Sequence, residues 1–542
     1  MRVVIVGGVA GGMSAATRLR RLNESAEIVV LERGDHVSFA NCGLPYYVGG
    51  VIPKRESLLL QTPEALAARF RLDVRVRHEV VAVDPVRRTV TVHESDTARE
   101  YVESFDALVL STGASAVVPP VPGVGRALVL RDIEDVDRIA EAVAGVRSAV
   151  VVGAGFIGVE LAENLVRRGI ATTVIERGAQ VLGPLDVEMA GPVAAEMRKH
   201  GIDLEVGAEV ASIDADTVTL ADGRVVPAEL VVMAIGVRPE SGLARAAGID
   251  IGSGGGIVVD DQLRTSVPRI YAVGDVVEKK DAVSGLSTVV PLANAANRQG
   301  RLAADAIAGL PVVDPPAHGT AILGVFDLTA ATTGWSEKRL RAAGRPFRVI
   351  HTHPLSHAGY YPDAQAMSVK LLVDPETDRI LGAQAVGGEG VDKRIDVLAT
   401  AMAGGITASR LMDLELAYAP AFGSAKDPVN MLGYIADNLR AGVLRTAQWY
   451  EVDDAIATGA QAVDVRTPEE FAAGSIPGSL NIPLDELRDR ASEIPDGSVL
   501  VFCQVGQRGS SATRLLTQLG REAVNLDGGY RTWRDATAEQ HR

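Results

Sequence analysis

Two thiols, Cys42 and Cys503, are the only cysteines in 542 residues, and both sit among small and polar neighbours, in SFANCGLPYYVGG and CQVGQRG. A cysteine reacts as its thiolate, which loops rich in backbone amides and basic groups can stabilise and an apolar core cannot. Most lone cysteines are packing residues; the surroundings here favour chemistry at both. A disulfide joining them is not expected in a cytosolic chain. With no second cysteine beside it, Cys42 has two oxidised states open to it, a sulfenic acid or a mixed disulfide with a small thiol.

Redox sulfur needs an electron source, and two strand–glycine turn–helix units could position one. RVVIVGGVAGGMSAATRLRRL…AEIVVLER begins at Val3 and SAVVVGAGFIGVELAENLVRRG…TTVIER at Ala149. The second carries a full GxGxxG at Gly153, Gly155 and Gly158. Such glycines allow a tight turn, close approach of a pyrophosphate and helix–strand packing, with phosphate at the helix N-terminus. Glu176 ends the next strand, where a carboxylate accepts from a ribose 2′-hydroxyl and favours NADH. Arg177 beside it would tolerate a 2′-phosphate, which leaves NADPH open. In the first unit Gly7, Gly8, Gly11 and Gly12 surround Val9, which replaces the middle glycine, and Glu32 closes the second strand. LVLSTGA (108–114) reads as a strand entering a small-residue turn, and RIYAVGDVV (269–277) places Asp275 where a carboxylate can bind a ribityl hydroxyl.

The formal net charge of −15 argues against a nucleic-acid binder, so an anionic ligand would meet local basic clusters. Ser14, Arg18 and Arg21 form one such stripe at i, i+4 and i+7 of the first helix. No apolar run reaches the ~18 residues that span a bilayer, and the N-terminal residues suit a buried strand better than a leader. A cytoplasmic protein with no membrane partner is expected. VVPPVPGVG (117–125) reads as a linker between the nucleotide units, and PVVDPPAHG after Gly309 as a further boundary. Strand-like runs such as FRVIHTH, with an alanine-rich helix around Asp392 to Met402, then indicate an α+β domain.

From Met1 to about Met431 the chain resembles the two-dinucleotide-fold flavoprotein disulfide reductases. The resemblance implies FAD on the first unit, contacted by Gly7, Gly8, Val9, Ala10, Gly11, Gly12, Glu32, Arg33, Asn41, Val80, Ser111, Thr112, Gly113, Gly274, Asp275 and the Pro291, Leu292, Ala293, Asn294 stretch. It implies NADH on the second, contacted by Gly153, Gly155, Phe156, Ile157, Gly158, Glu176, Arg177 and Gly236. Ser38, Asn41, Cys42, Pro45 and Tyr46 match the SFxxCxxPY pattern of coenzyme A-disulfide reductases. That match implies coenzyme A as part of the substrate or as the bound thiol, held by Ser14, Arg18, Arg21, Ser38, Asn41 and Lys426, with a looser match at Asn297 and Arg298. It also implies a homodimer whose partner brings Tyr360 or Tyr361 and Tyr418 to the active site at the interface. Peroxidase relatives place a histidine in the first glycine loop; Ala10 stands here.

From about Trp449 the chain resembles a rhodanese domain, on VDVRTPEEFAAGSIPGSLNIPL, CQVGQRG and NLDGGYRTW. The loop amides, a helix expected near Ser510, and Arg508 would favour a thiolate or persulfide on Cys503. The resulting expectation is an α/β chain: an FAD domain (1–116 and 241–312), an NAD(P)H domain (117–240), an α+β dimerisation domain (318–445) and an α/β rhodanese domain (449–542). Its expected activity is FAD-dependent reduction of coenzyme A persulfide, polysulfide or coenzyme A disulfide at Cys42, with Cys503 handling sulfane sulfur on a mobile domain or through a carrier arm. The rivals are a flavin NADH oxidase or peroxidase working through a Cys42 sulfenate, and a non-catalytic sulfur carrier.

Overall fold

The computed structural model describes residues 1–538. They form two compact units, Met1–Ala179 with Gly201–Gly319, and Gln180–His200 with the chain from Thr320 onward. In the first unit, the strand Arg2–Val6 pairs in parallel with Glu27–Leu31 on one side and Ala107–Leu110 on the other. Ile270–Ala272 and Asp73–Arg75 close the edges of this five-stranded sheet. A second parallel sheet repeats the plan: Ser148–Val152 lies between Ala171–Glu176 and Leu230–Met233. The central strands are buried end to end, as continuous Val/Ile runs between helices must be. The duplicated architecture read from the two glycine motifs is present.

The stretch 117–125 is not a free linker. Pro122 accepts the Ile213 amide at 2.9 Å, and a Cβ on Gly123 would lie 1.7 Å from the Ile213 carbonyl oxygen, so the segment is stitched onto the nicotinamide-type fold. Residues 180–200 also depart from expectation: they leave the NAD(P)H domain and pack with the second unit.

In that second unit, Ala321–Val325, Leu328–Gly334, Ile380–Gly387, Met367–Val373 and Arg348–Thr352 form an antiparallel sheet in this order. The helices Val391–Ala403 and Pro428–Arg440 pack on it through Ile395, Leu398, Val429 and Leu432. The C-terminal part is a parallel sheet of Thr446–Ala447, Ala523–Leu526, Val499–Phe502, Gln461–Asp464 and Leu480–Asn481, with its own apolar core around Val463, Val501 and Leu516. It falls in the same compact unit as the antiparallel sheet. None of the described helices is long and apolar enough to cross a membrane.

Candidate redox site and sulfur loop

The two glycine turns are near copies. Gly7 and Gly153 have φ of +100° and +106°, a region closed to other residues at low cost. A Cβ on Gly12 or Gly158 would fall 1.9 Å from the carbonyl oxygen of Gly7 or Gly153, so helix and turn touch where only glycine fits. Around Gly155 a Cβ would meet nothing within 4 Å. The protein therefore does not need glycine there, which explains why Val9 is tolerated at the equivalent place and leaves ligand approach as the reason for Gly155. Gly158→Ala should raise the KM for NADH more than tenfold while FAD content stays at one per chain; an unchanged KM would mean the turn does not set the nicotinamide site.

Glu32 accepts the amides of Gly8 (2.7 Å) and Gly34 (2.9 Å), and Glu176 accepts those of Ala154 (2.8 Å) and Gly178 (2.6 Å). Each acid is thus held at the mouth of its own glycine turn. Arg177 points outward and is exposed. Arg33 reaches Glu240 at 3.9 Å.

Asp275 follows the strand Ile270–Ala272 after Gly274, whose φ is +84°. Its Oδ2 lies 3.4 Å from an Arg131 nitrogen, and its Oδ1 is buried without any hydrogen-bond partner. A buried orphan acceptor is costly in a folded protein, and a ribityl hydroxyl is the donor it lacks; the first unit fits FAD. Two residues the sequence reading missed hold this corner. Lys279, buried, donates to the carbonyls of Gly274 (2.9 Å) and Val290 (3.0 Å), joining the Asp275 turn to the Pro291–Asn294 stretch, and burial lowers its pKa to about 8 against the pull of Asp275 and Asp314. Gln299 accepts the Gly274 amide at 2.9 Å. The expected FAD contact Val80 is different: its side chain sits in the hydrophobic core with Val90 and Val92, its strand running straight into a bulge.

Cys42 lies in a short 3₁₀ turn, Asn41–Gly43, tied to the first glycine turn by the Ser38 amide donating to the Gly8 carbonyl at 2.9 Å. Asn41 Oδ1 is 3.9 Å from the sulfur. The helix that follows, Leu44–Val48, packs on Phe156–Arg167, the helix opened by the second glycine turn: the Arg168 guanidinium donates to the Val48 carbonyl at 2.8 Å and the Tyr46 hydroxyl to Glu160 at 3.0 Å. Cys42 is exposed, yet desolvation by neighbouring atoms, then the charges of Glu160 and Asp275, push its thiol up, with Arg131 opposing. The lone thiol therefore feels a carboxylate from each nucleotide unit. Burial also raises Glu160, which favours its protonated form. Glu160 is the third residue missed; its only sequence trace is its place two residues after Gly158.

The basic stripe survives only in part. Ser14 donates to Asn297 at 2.7 Å, and Arg18 is paired with Asp305 at 2.7 Å on the helix Ala293–Ile307, whose Gly300 fits directly against Gly11. Arg18 thus serves helix packing, whereas Arg21 is exposed. In the second unit the hydroxyls of Tyr360 and Tyr418 meet at 2.9 Å, both residues exposed; Tyr361 packs edge-on against His357 at 5.7 Å, and Lys426 is exposed.

Cys503 is fully buried at the end of the strand Val499–Phe502. The helix after it starts at Gln507, not near Ser510, because Gly506 takes φ of +87° and turns the chain at once. Arg508 therefore stands in the first helical turn, and its guanidinium forms a two-pronged pair with Glu470 at 2.7 and 2.8 Å. The same guanidinium also interacts with the Cys503 sulfur, so Arg508 joins Glu470 to the sulfur loop. Arg466, missed in the sequence, is buried against Asp464, bonds Gln504 at 3.0 Å and stacks over Tyr530 at 4.4 Å.

Fold and site together define an FAD- and NAD(H)-using oxidoreductase with one exposed thiol beside its glycine turns and a fused α/β domain around a buried one. Residues 1–300 match the pyridine nucleotide-disulphide oxidoreductase model, 320–428 its dimerisation domain and 448–536 a rhodanese-like domain. The chain belongs to the pyridine nucleotide-disulphide oxidoreductase family. A coenzyme A disulfide reductase of Staphylococcus aureus is 36% identical over 438 residues, 80% of this chain and 99% of the relative. Reduced CoADR-RHD of Bacillus anthracis is 46% identical with a TM-score of 0.98, covering 99% of this chain and 98% of that one. A NAD-dependent persulfide reductase from A. fulgidus is 37% identical with a TM-score of 0.93, covering 98% of this chain and all of that one.

Proposed function

We propose that this enzyme reduces the S–S bond of coenzyme A persulfide, polysulfide or coenzyme A disulfide with NADH, and with NADPH less well, as a cytoplasmic homodimer. The observation that carries the reading is a lone exposed thiol in a turn tied to the first glycine turn, ahead of a short helix that packs on the helix of the second. FAD, once bound by Glu32, Asp275 and the first glycine turn, supplies the two-electron relay from NADH to sulfur. The Cys42 thiolate attacks the S–S bond: coenzyme A persulfide gives Cys42–S–S–CoA and hydrosulfide, coenzyme A disulfide gives Cys42–S–S–CoA and coenzyme A thiolate, and polysulfide gives a Cys42-bound sulfane chain and a shorter polysulfide anion. Two electrons then return Cys42 and coenzyme A to thiolates. The hydrogen-bonded Tyr360–Tyr418 pair is suited to donating a proton to the leaving sulfur of the partner protomer's site. Cys503 accepts sulfane sulfur and passes it on through a carrier such as the coenzyme A pantetheine.

NADH oxidation measured side by side with coenzyme A disulfide, polysulfide and oxygen tests this reading. Sulfur substrates should dominate; oxygen turnover matching them would favour a sulfenate oxidase instead. Since Arg18 is committed to Asp305, Arg21 bears the larger share of phosphate recognition. Arg21→Ala should raise the KM for coenzyme A disulfide roughly three- to tenfold, the range of an exposed charge-assisted contact, and leave polysulfide nearly unaffected. Equal losses on both would remove Arg21 from the coenzyme A site.

A further inference from the structure

His351 and His353 stand two residues apart at the end of the edge strand Arg348–Thr352, so both side chains face the same way. His351 is 3% exposed, with Nδ1 2.8 Å from Asp527 and Nε2 3.0 Å from Glu188. Two carboxylates, one at each ring nitrogen, require both nitrogens to carry hydrogen, which only the imidazolium provides. Asp527 also accepts the His351 backbone amide at 2.9 Å and the Gln448 side chain at 3.2 Å. Behind Glu188 lies Lys370, wholly buried and shared with Asp186 and Glu337. His353 bonds Thr532 at 2.8 Å, and burial and the charge of His351 keep it neutral.

What Asp527 leads into is the sulfur loop. Gly528 and Gly529 both take left-handed φ, +68° and +64°, and the turn they make lets Tyr530 and Arg531 donate to the carbonyls of Cys503 (2.8 Å) and Gln504 (3.0 Å). A Cβ on Gly529 would lie 2.4 Å from the Cys503 oxygen, and one on Gly528 2.9 Å from the His351 side chain. One short turn thus lies against the sulfur loop with one glycine and against the His351 Cβ with the other.

We propose that His351 is a positioning residue for Cys503: the Glu188–His351–Asp527 chain holds the Gly528–Gly529 turn, which sets the carbonyls of the sulfur loop, so the rhodanese site is competent only while seated on the dimerisation sheet. This rests on the reading of Cys503 as a sulfur acceptor. In the step affected, the Cys503 thiolate attacks the outer sulfur of thiosulfate; the donor S–S bond breaks, sulfite leaves with its electron pair, and Cys503 becomes a persulfide. Cyanide then removes that sulfur as thiocyanate and restores the thiolate.

Burial opposes the charged ring, but Asp527 and Glu188 outweigh it and raise His351 to about 9. A raised histidine contributes fully below its unfolded value near 6.5 and is lost as pH climbs through about 9. Lys370, Asp186 and Glu337 stand behind Glu188, and neutral His353 alongside feels the charges of Arg531 and Arg534.

The experiment uses the FAD-loaded full-length enzyme and follows thiosulfate-to-cyanide transfer across pH 6.5–10, beside NADH-dependent reduction of coenzyme A disulfide. In the parent, transfer should fall as pH rises through about 9. His351→Gln should cut transfer kcat/KM at neutral pH at least tenfold and abolish that fall, with FAD content and disulfide reduction within twofold of the parent. Asp527→Asn, as a second route should His351→Gln misfold, should match it. Parent-like transfer and pH profile in both variants would overturn the proposal alone. A parent that transfers no sulfur, like Cys503→Ser, would overturn it together with the reading of Cys503.

Discussion

Cys42→Ser will bind FAD like the parent and lose reduction of coenzyme A disulfide and persulfide by at least a thousandfold. The residues proposed to hold FAD, Glu32, Asp275 and the glycine turn, are not touched by the change. The reaction needs a sulfur that is both nucleophile and half of the mixed disulfide, and a serine hydroxyl is neither at neutral pH. NADH oxidation by oxygen should persist in the variant. Visible spectra and anaerobic NADH assays decide the matter: retained persulfide turnover would end the mechanism based on Cys42.

The second large effect falls on stability. Lys370 Nζ is 0% exposed, contacts Glu188, and lies 3.0 Å from Asp186 and 2.7 Å from Glu337. Burial opposes each charge in this cluster, but the lysine and His351 hold Glu188 well below the ordinary carboxylate range, and the three acids hold the lysine above its own. Lys370→Met keeps the volume and strands the carboxylates. Breaking a buried ion cluster at one partner costs about 3–5 kcal/mol, or roughly 10 °C in the unfolding midpoint of a unit this size. The midpoint at fixed scan rate measures it. The deficit should shrink as pH falls toward 5, because the stranded carboxylates then take up protons; the depressed acids of the parent lose their contribution only on crossing their lower folded values. A midpoint within 1 °C of the parent would show that the cluster contributes nothing net.

Much of the first unit was legible because its chemistry is local. A glycine turn and the acid closing the next strand lie about 20 residues apart, and one backbone geometry demands both, hence Gly7 with Glu32 and Gly153 with Glu176. Val9 stands where the second turn has Gly155, and the open space around Gly155 shows why the fold accepts a side chain at that place. Pairings across long separations left no such trace. Arg18 and Asp305 are 287 residues apart, His351 and Asp527 176, His351 and Glu188 163. A helical stripe of basic residues reads alike whether it faces a ligand or a neighbouring helix. The rhodanese domain was recognised by its own motifs, but its independence was not a property of those motifs. FRVIHTH read as a plain strand because no periodicity marks a histidine with two carboxylates. For the same reason, removing everything after Gly442 would leave His351 with one carboxylate of two.

That shared imidazolium has a bearing on how such a fusion could arise. Two domains joined by a tether alone can be exchanged by recombination, since neither encodes anything the other needs. Here the host carries the cation and the guest its counter-charge, so inheritance of the two is linked. The Staphylococcus aureus relative, aligned along 99% of its length but only 80% of this chain, ends before a guest of this kind begins. Lineages that gained or shed the domain are expected to have altered position 351 or 188 in step with it. A chimaera that grafts this rhodanese domain onto such a host would need the histidine transplanted as well.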